Sequence, residues 1–372
     1  MYINNQEVFP TNMKDRDEEN KIEDIEMLRK VQKENEEINE VPGGYYTIQL
    51  SEKGRLGCAP AKFHMKNFTT EGMIDLSMVQ PEELPIKLAD CLDDLIWEKD
   101  VSIKDFNEKE VIETLLKLYK ICYSDKIEGL DYTPTEADWD YVADQNGGRE
   151  TDDYKRAERN LKAKPLKFCL DLNKVKFNEL PEDFHPTIRV RKANGNTYKF
   201  GVPRYGDAIV VANYTKKKWE SQDRQYEAIG KILKFRDDSE KRWRNGEDIN
   251  LRSLPDVPQK DKDAYYEYSR LKTKDMMRCY KALQLLEVNG VDTSHMSLDE
   301  KFKYADDPEL DHSTYQGVLD FFQNQKFGVD NDVEITNPLT GQPGTYNYPF
   351  RVDVIVSAFY SSTSNTTTYE FE

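Results

Sequence analysis

Residues 43–122 constrain this chain most, because apolar spacing there switches from period two to helical period within one continuous stretch. Gly43 and Gly44 open it. Tyr45, Thr47 and Gln49 alternate with Tyr46, Ile48 and Leu50, which predicts a short strand. Residues 51–57 (SEKGRLG) read as a turn, and Phe63, Met65 and Asn67 alternate with His64 and Lys66 in a second strand. Thr69 and Thr70 open a short helix carrying Met73, Ile74 and Leu76. Pro85 takes the first position of the next helix, where its missing N–H costs nothing. That helix places Leu88, Cys91, Leu92, Leu95 and Ile96 on one face. Asn107 caps a third helix, whose Val111, Ile112, Leu115, Leu118 and Tyr119 cover most of its circumference. A helix that apolar has to be buried by neighbours. The stretch holds no catalytic motif and reads as a framework.

The flanks are more polar. In the arm 1–42 acids outnumber bases, and Ile22, Ile25, Leu28 and Val31 supply an apolar stripe of about two heptads. It reads as a solvated arm or as a helix that docks on a partner. Thr133 and Glu136 fit a capping box with Pro134 as first helical residue, and the helix of Trp139 and Val142 stops at Gly147 and Gly148. The charged run 149–164 reads as an exposed helix or linker and marks a domain boundary. A second β unit follows. Phe168, Leu170 and Leu172 alternate, and residues 187–200 (TIRVRKANGNTYKF) form the best hairpin, with Asn194-Gly195 as a type I′ turn. Helical spacing runs from about 207 to 289, through one stripe of Tyr226, Ile229 and Leu233 and another from Tyr265 to Leu286 that ends at Asn289-Gly290. Ser297 and Glu300 make a capping box, and Tyr315, Val318 and Phe322 mark a further helix. Val333 and Ile335, then Tyr346 and Tyr348, return to β structure before a polar tail, 361–372. The expected fold is therefore α+β: mostly helical, with two small antiparallel β units and a charged N-terminal arm. The expected divisions are the arm 1–42, a framework domain 43–148, a linker or helix 149–164, a hairpin-plus-helical domain 165–360 and the tail.

Composition narrows function. With 37% apolar and 33% charged residues the chain is polar for a globular protein, as suits a loop-rich molecule or one completed by partners. Twenty-two Tyr and sixteen Phe argue against wholesale disorder. A net charge of -17 repels nucleic acid and anionic membranes. No apolar run is long enough for a membrane span, and the first residues lack a signal-peptide pattern. Five Cys, at 58, 91, 122, 169 and 279, stand far apart and read as reduced thiols. They and the isolated His64, His185, His295 and His312 give no zinc spacing. Gly54 to Gly57 lacks the Lys-Ser/Thr of a phosphate loop. Asp90, Asp94 and Glu98 share a helical face at i, i+4 and i+8, which among seventy acids reads as solvated surface. Asp171 and Asp183, with His185 nearby, lack nuclease spacing. No Ser or Cys has a positioned base. The patches Lys216-Lys217-Lys218-Trp219 and Lys241-Arg242-Trp243-Arg244 read as helix ends, or as contacts for protein or nucleic acid, with helix ends favoured. No catalytic residue, metal, cofactor, nucleic-acid partner or small-molecule substrate is expected.

Several short motifs occur in a telling order. Ser51-Glu52-Lys53-Gly54-Arg55-Leu56-Gly57 follows a strand, then come Phe68-Thr69-Thr70-Glu71, Glu83-Leu84-Pro85 opening a helix, and the helix from 111 to 123. Leu170-Asp171-Leu172 then precedes a hairpin ending in Phe200-Gly201-Val202-Pro203-Arg204-Tyr205-Gly206-Asp207. Over roughly residues 45–213 this layout resembles the baseplate hub and hub-assembly proteins of contractile-tailed bacteriophages. Some members of that family carry a Cys-rich knuckle between the helical part and the second β unit. Here that region has only Cys122 and Cys169, so no metal site is carried over. The resemblance implies a non-enzymatic structural or assembly role, in the virion tail or in the host cytoplasm during assembly, with other phage tail or baseplate proteins as partners. Two other classes stand beside it: a soluble acidic regulator that binds a host protein, and an enzyme without a recognisable motif. The residues themselves point to a cationic protein-binding site on the hairpin and the turn after it. Its candidates are Arg189, Arg191, Tyr198, Arg204 and Tyr205, since Arg and Tyr dominate interface hot spots. The plainer reading is that the hairpin only packs on the helices after Asp207.

Overall fold

Strand β1 (Tyr46–Gln49) pairs antiparallel with β2 (Lys62–Met65), setting Ile48 opposite Phe63, both fully buried. The computed structural model describes residues 43–56, 59–79, 83–164, 166–244 and 249–364. The expectations for the acidic arm 1–42, and for the tail beyond 364, lie outside them. Thr69 Oγ1 accepts the Gly72 amide and caps α1 (Thr70–Ser77). Helix α2 (Leu84–Leu95) starts with Pro85 in its first turn. Helix α3 (Glu108–Cys122) is capped by Asn107, and Glu110 closes the capping box. Its Val111, Leu115 and Leu118 are fully buried, so the helix runs through the main core as its apolar circumference requires.

Strand β3 (Lys126–Tyr132) leads to α4 (Glu136–Gln145) and α5 (Asp152–Ala163), and β4 (Leu166–Asp171) returns to pair with β3. The cap of α4 lies two residues beyond the expected one: Thr135 and Asp138 form the box. Thr133 lies ahead of the helix, and its amide donates to the Tyr346 hydroxyl at 3.1 Å. The segment 149–164, expected to separate two domains, lies instead inside an excursion between two paired strands. One core joins Ile48 and Leu88 to Phe168, Val333 and Phe359, and the described residues from Tyr46 onward form one compact unit.

Strand β5 (Phe177–Asn178) is followed by the hairpin β6 (Thr187–Arg191) and β7 (Thr197–Gly201). The hairpin's turn is not type I′, which needs left-handed backbone at two successive residues. Only Gly195 (φ 94°) adopts it here. The Gly195 amide donates to the Lys192 carbonyl and the Lys192 amide to the Asn196 carbonyl, so the loop is the three-residue Ala193-Asn194-Gly195. Helices α6 (Tyr205–Arg244) and α7 (Gln259–Gln284) pack antiparallel, with Trp219 donating to Asp275 and Tyr226 stacked on Tyr268. Helix α7 ends before the expected 289. Leu286 belongs to β8 (Leu285–Val288), which pairs with the far side of β7, and the Asn289-Gly290 turn (φ 51° and 83°) sends the chain into β9 (Val291–Asp292).

Helix α8 (Leu298–Ala305) carries the Ser297–Glu300 capping box, and α9 (His312–Gln323) is capped by Asp311. Strand β10 (Gly328–Val329) pairs with β5, and β11 (Asp332–Thr336) with β12 (Pro343–Asn347). Helix α10 (Val352–Ser364) returns to the main core, where Phe359 packs edge-on to Phe68 and Tyr119. The fold is α+β. Its β structure is more divided than the two expected units: the described residues hold four two-stranded sheets and one four-stranded sheet ordered β6-β7-β8-β9.

Candidate functional site

Alternation in the β6–β7 hairpin sorts its residues between two faces. Ile188, Val190, Tyr198 and Phe200 cover a second core with Leu285 and Tyr315. Arg189, Arg191 and Lys199 take the opposite face, where the Arg189 guanidinium lies 3.2 Å from Glu287 on β8. Lys192 is tied down: its ammonium donates to Thr314 Oγ1 at 2.5 Å.

Hydrogen-bond parity then decides which backbone groups are used. The Lys192–Asn196 bond and the Val202 amide's bond to the Pro186 carbonyl bracket the hairpin. In an antiparallel pair such bonded positions recur every second residue. Ile188 and Val190 therefore bond to β7, while Thr187, Arg189 and Arg191 turn their N–H and C=O groups outward. The sheet order places no described strand on that side. Natural edges are blunted by proline, bulges or charge. Within β6 there is no proline and its register with β7 is unbroken, which leaves only the exposed Arg189 and Arg191.

The structure divides the expected site residues. Arg189 and Arg191 share this edge. Tyr198 is a core residue, fully buried because it shares the face of Phe200. Its hydroxyl donates to Asp307 at 2.7 Å, and burial, reinforced by that carboxylate, pushes the phenol up to about 12. Tyr205 is also core: its amide donates to the Phe106 carbonyl at 2.6 Å, and burial pushes its phenol above the usual range. Arg204 is half-exposed beside Asp105 at 3.5 Å, and its amide is held by Asp207 at the start of α6. The turn 204–207 is thus a helix start packed on the framework. Alternation with Phe200 was enough to assign Tyr198; nothing local marked Tyr205.

Part of the basic patches is taken up by intramolecular contacts. Lys216 pairs with Glu83, Lys218 with Asp275 and Lys241 with Asp237, and Trp219 is buried between α6 and α7. Glu98 lies beyond the end of α2, so it does not extend a face with Asp90 and Asp94; its carboxylate binds the backbone and ring of the buried His64. Burial pushes the thiols of Cys91 and Cys122 up to about 11. An open cleft of about 760 Å³, which the sequence did not reveal, lies between Trp139, Lys155, Arg159 and Lys241. Among the described residues no three His, Cys, Asp or Glu side chains are grouped to hold a metal ion, and no helix is long and apolar enough to cross a membrane. Comparison with family models, with curated proteins and with solved structures finds no match.

Proposed function

We propose that this chain is a non-enzymatic structural component of a contractile phage tail baseplate or hub, or a factor in its assembly, and that it holds a neighbouring tail protein through the outer edge of β6. The observation that carries the reading is that edge: outward backbone groups at Thr187, Arg189 and Arg191 beside two exposed cations. A partner strand added there would gain ladder hydrogen bonds, and acidic side chains at alternate positions would face Arg189 and Arg191. The motif order over roughly residues 45–213 supplies the identity of the assembly, in the virion tail or in the host cytoplasm during assembly.

Arg189→Pro is the discriminating change. The Arg189 N–H points away from β7, so proline removes an edge donor without removing a hairpin bond. Mass spectrometry of purified particles and assembly intermediates should find the wild-type chain and a strongly reduced amount of the variant, whose circular dichroism stays native. A wild-type chain missing from both fractions sinks the phage-tail reading. Undiminished incorporation of the variant moves the contact elsewhere.

A further inference from the structure

The turn 51–56 is the part of the sequence motif that the β6 edge leaves unused, and its residues are engaged one after another. The Ser51 amide and hydroxyl donate to the two oxygens of Glu113 on α3, each at 2.7 Å. Lys53 pairs with Glu179 at 2.6 Å, Arg55 donates to the Leu180 carbonyl, and Leu56 packs with Leu180 and Phe327. Lys53 and Gly54 both take left-handed backbone (φ 57° and 74°), and a Cβ on Gly54 would stand 3.0 Å from the Ala61 amide nitrogen. The turn is folded tightly against α3 and the 179–180 segment.

At its centre two carboxyls meet out of water. Glu52 and Glu110 are each 1% exposed. Glu52 Oε2 accepts the Leu56 amide at 3.1 Å, and Glu110 Oε2 accepts the Asn107 amide at 2.6 Å as part of the α3 cap. Each residue is left with a buried Oε1 that has no partner, and the two side chains lie within hydrogen-bonding reach of each other. Two ionised carboxylates in that position would repel, and each would keep an unsatisfied oxygen. The cations nearby are used elsewhere: Lys117 by Glu113 and the Gln49 carbonyl, Lys109 by the Gln325 carbonyl, Lys53 and Arg55 as above. Glu113 adds a further negative charge.

We infer that a single proton on Glu110 Oε1, donated to Glu52 Oε1, latches the turn 51–56 onto α3 and makes its closure pH-dependent. One proton satisfies both orphaned oxygens and removes the repulsion. Burial, with the charges of Glu52 and Glu113, pushes the Glu110 carboxyl from its usual 4.5 up to about 8, against the pull of the Asn107 amide. The closed turn therefore holds a proton that the open turn releases between those values. The latch is tightest below the ordinary carboxyl value, weakens by about tenfold per pH unit as pH rises, and levels off once the closed pair itself ionises.

Hydrogen exchange at the Leu56 amide, corrected for intrinsic rate and referenced to the Leu115 amide in α3, reads the latch directly. In the wild type its protection should fall about a hundredfold from about pH 5 to pH 7, two units at tenfold each. In Glu110→Gln the amide replaces the proton and cannot titrate, so protection should stay flat across that range. A flat wild-type profile, or a variant as steep as the wild type, overturns the inference. Infrared spectroscopy of the wild type tests it without a variant. At neutral pH ordinary carboxyls are ionised, so the latch requires a protonated carboxylic-acid C=O band that fades by about pH 9. Absence of that band overturns the inference equally.

Discussion

Tyr132→Phe tests how the α4–α5 excursion is fastened to the rest of the fold. The buried Tyr132 hydroxyl donates to Asp138 Oδ2 at 2.6 Å and accepts from Asn337 Nδ2 at 2.9 Å, while Asn337 also reaches Asp138 Oδ1 at 2.6 Å. Three segments close on one carboxylate: the end of β3, the first turn of α4 and the β11–β12 turn. Hydrogen bonds to charged groups contribute roughly 1.5–3 kcal/mol. Asp138 keeps the Thr135 amide and hydroxyl as donors, at 2.7 and 2.8 Å, so the mutant leaves no unpaired charge. The expected loss is about 2 kcal/mol in urea unfolding, near the middle of that range. Asn337→Ala removes the other side of the triangle, and the double mutant should cost less than the sum of the singles by about 1 kcal/mol. The pH dependence has a definite sign. Burial raises the Asp138 carboxyl, but donation by Tyr132, Thr135 and Asn337 outweighs it and holds the group below its usual 3.8. The unfolded chain therefore takes up this proton first, and the stabilisation is present above about pH 4 and lost as pH falls through the depressed value. The Tyr132→Phe deficit should shrink in acid. A deficit below about 0.5 kcal/mol, typical of exposed substitutions, or strict additivity with Asn337→Ala, would refute the fastening.

Three further outcomes follow from the surroundings of single residues. Gly206→Ala should destabilise by about 1–3 kcal/mol in denaturant melts although alanine is the better helix former, because its Cβ would sit 2.7 Å from the Lys104 carbonyl oxygen. Tyr198→Phe should cost about 1.5–3 kcal/mol through the lost bond to Asp307. Arg191→Ala should stay within about 0.5 kcal/mol by the same melts, since its side chain is exposed.

What the sequence made legible is what local physics decides. Asn107 as a cap, and Ser297 with Glu300 as a capping box, bind amides no more than three residues away, so local sequence alone predicts them. The strand at 285–288 was hidden for the opposite reason. Leu285 and Leu286 continue the apolar stripe of Cys279 and Leu283, and what fixes their backbone is the available edge of β7, far away in sequence. The segment 149–164 reads as an exposed helix or a linker, and it holds the helix α5, but a charged amphipathic helix looks alike in sequence whether it joins domains or packs on its neighbour. Here Tyr154 is buried with Val142 and Ala143 of α4.

The same distinction explains the basic patches. With seventy acids against fifty-three Lys and Arg, many cations meet a carboxylate within reach, as Lys216, Lys218 and Lys241 do. A run of cations is therefore weak evidence of a site in this chain. Position relative to backbone carries more. Arg191 is exposed and has no acidic partner among the described residues, and it stands on a strand whose outward N–H and C=O groups are unused by the sheet. Alternation put its side chain on the outer face, but only the pairing of β7 with β8 shows that β6 is left as an edge. The binding surface proposed for this protein is thus half local and half topological. Its charge could be read from the residues, and its open side only from the order of the strands.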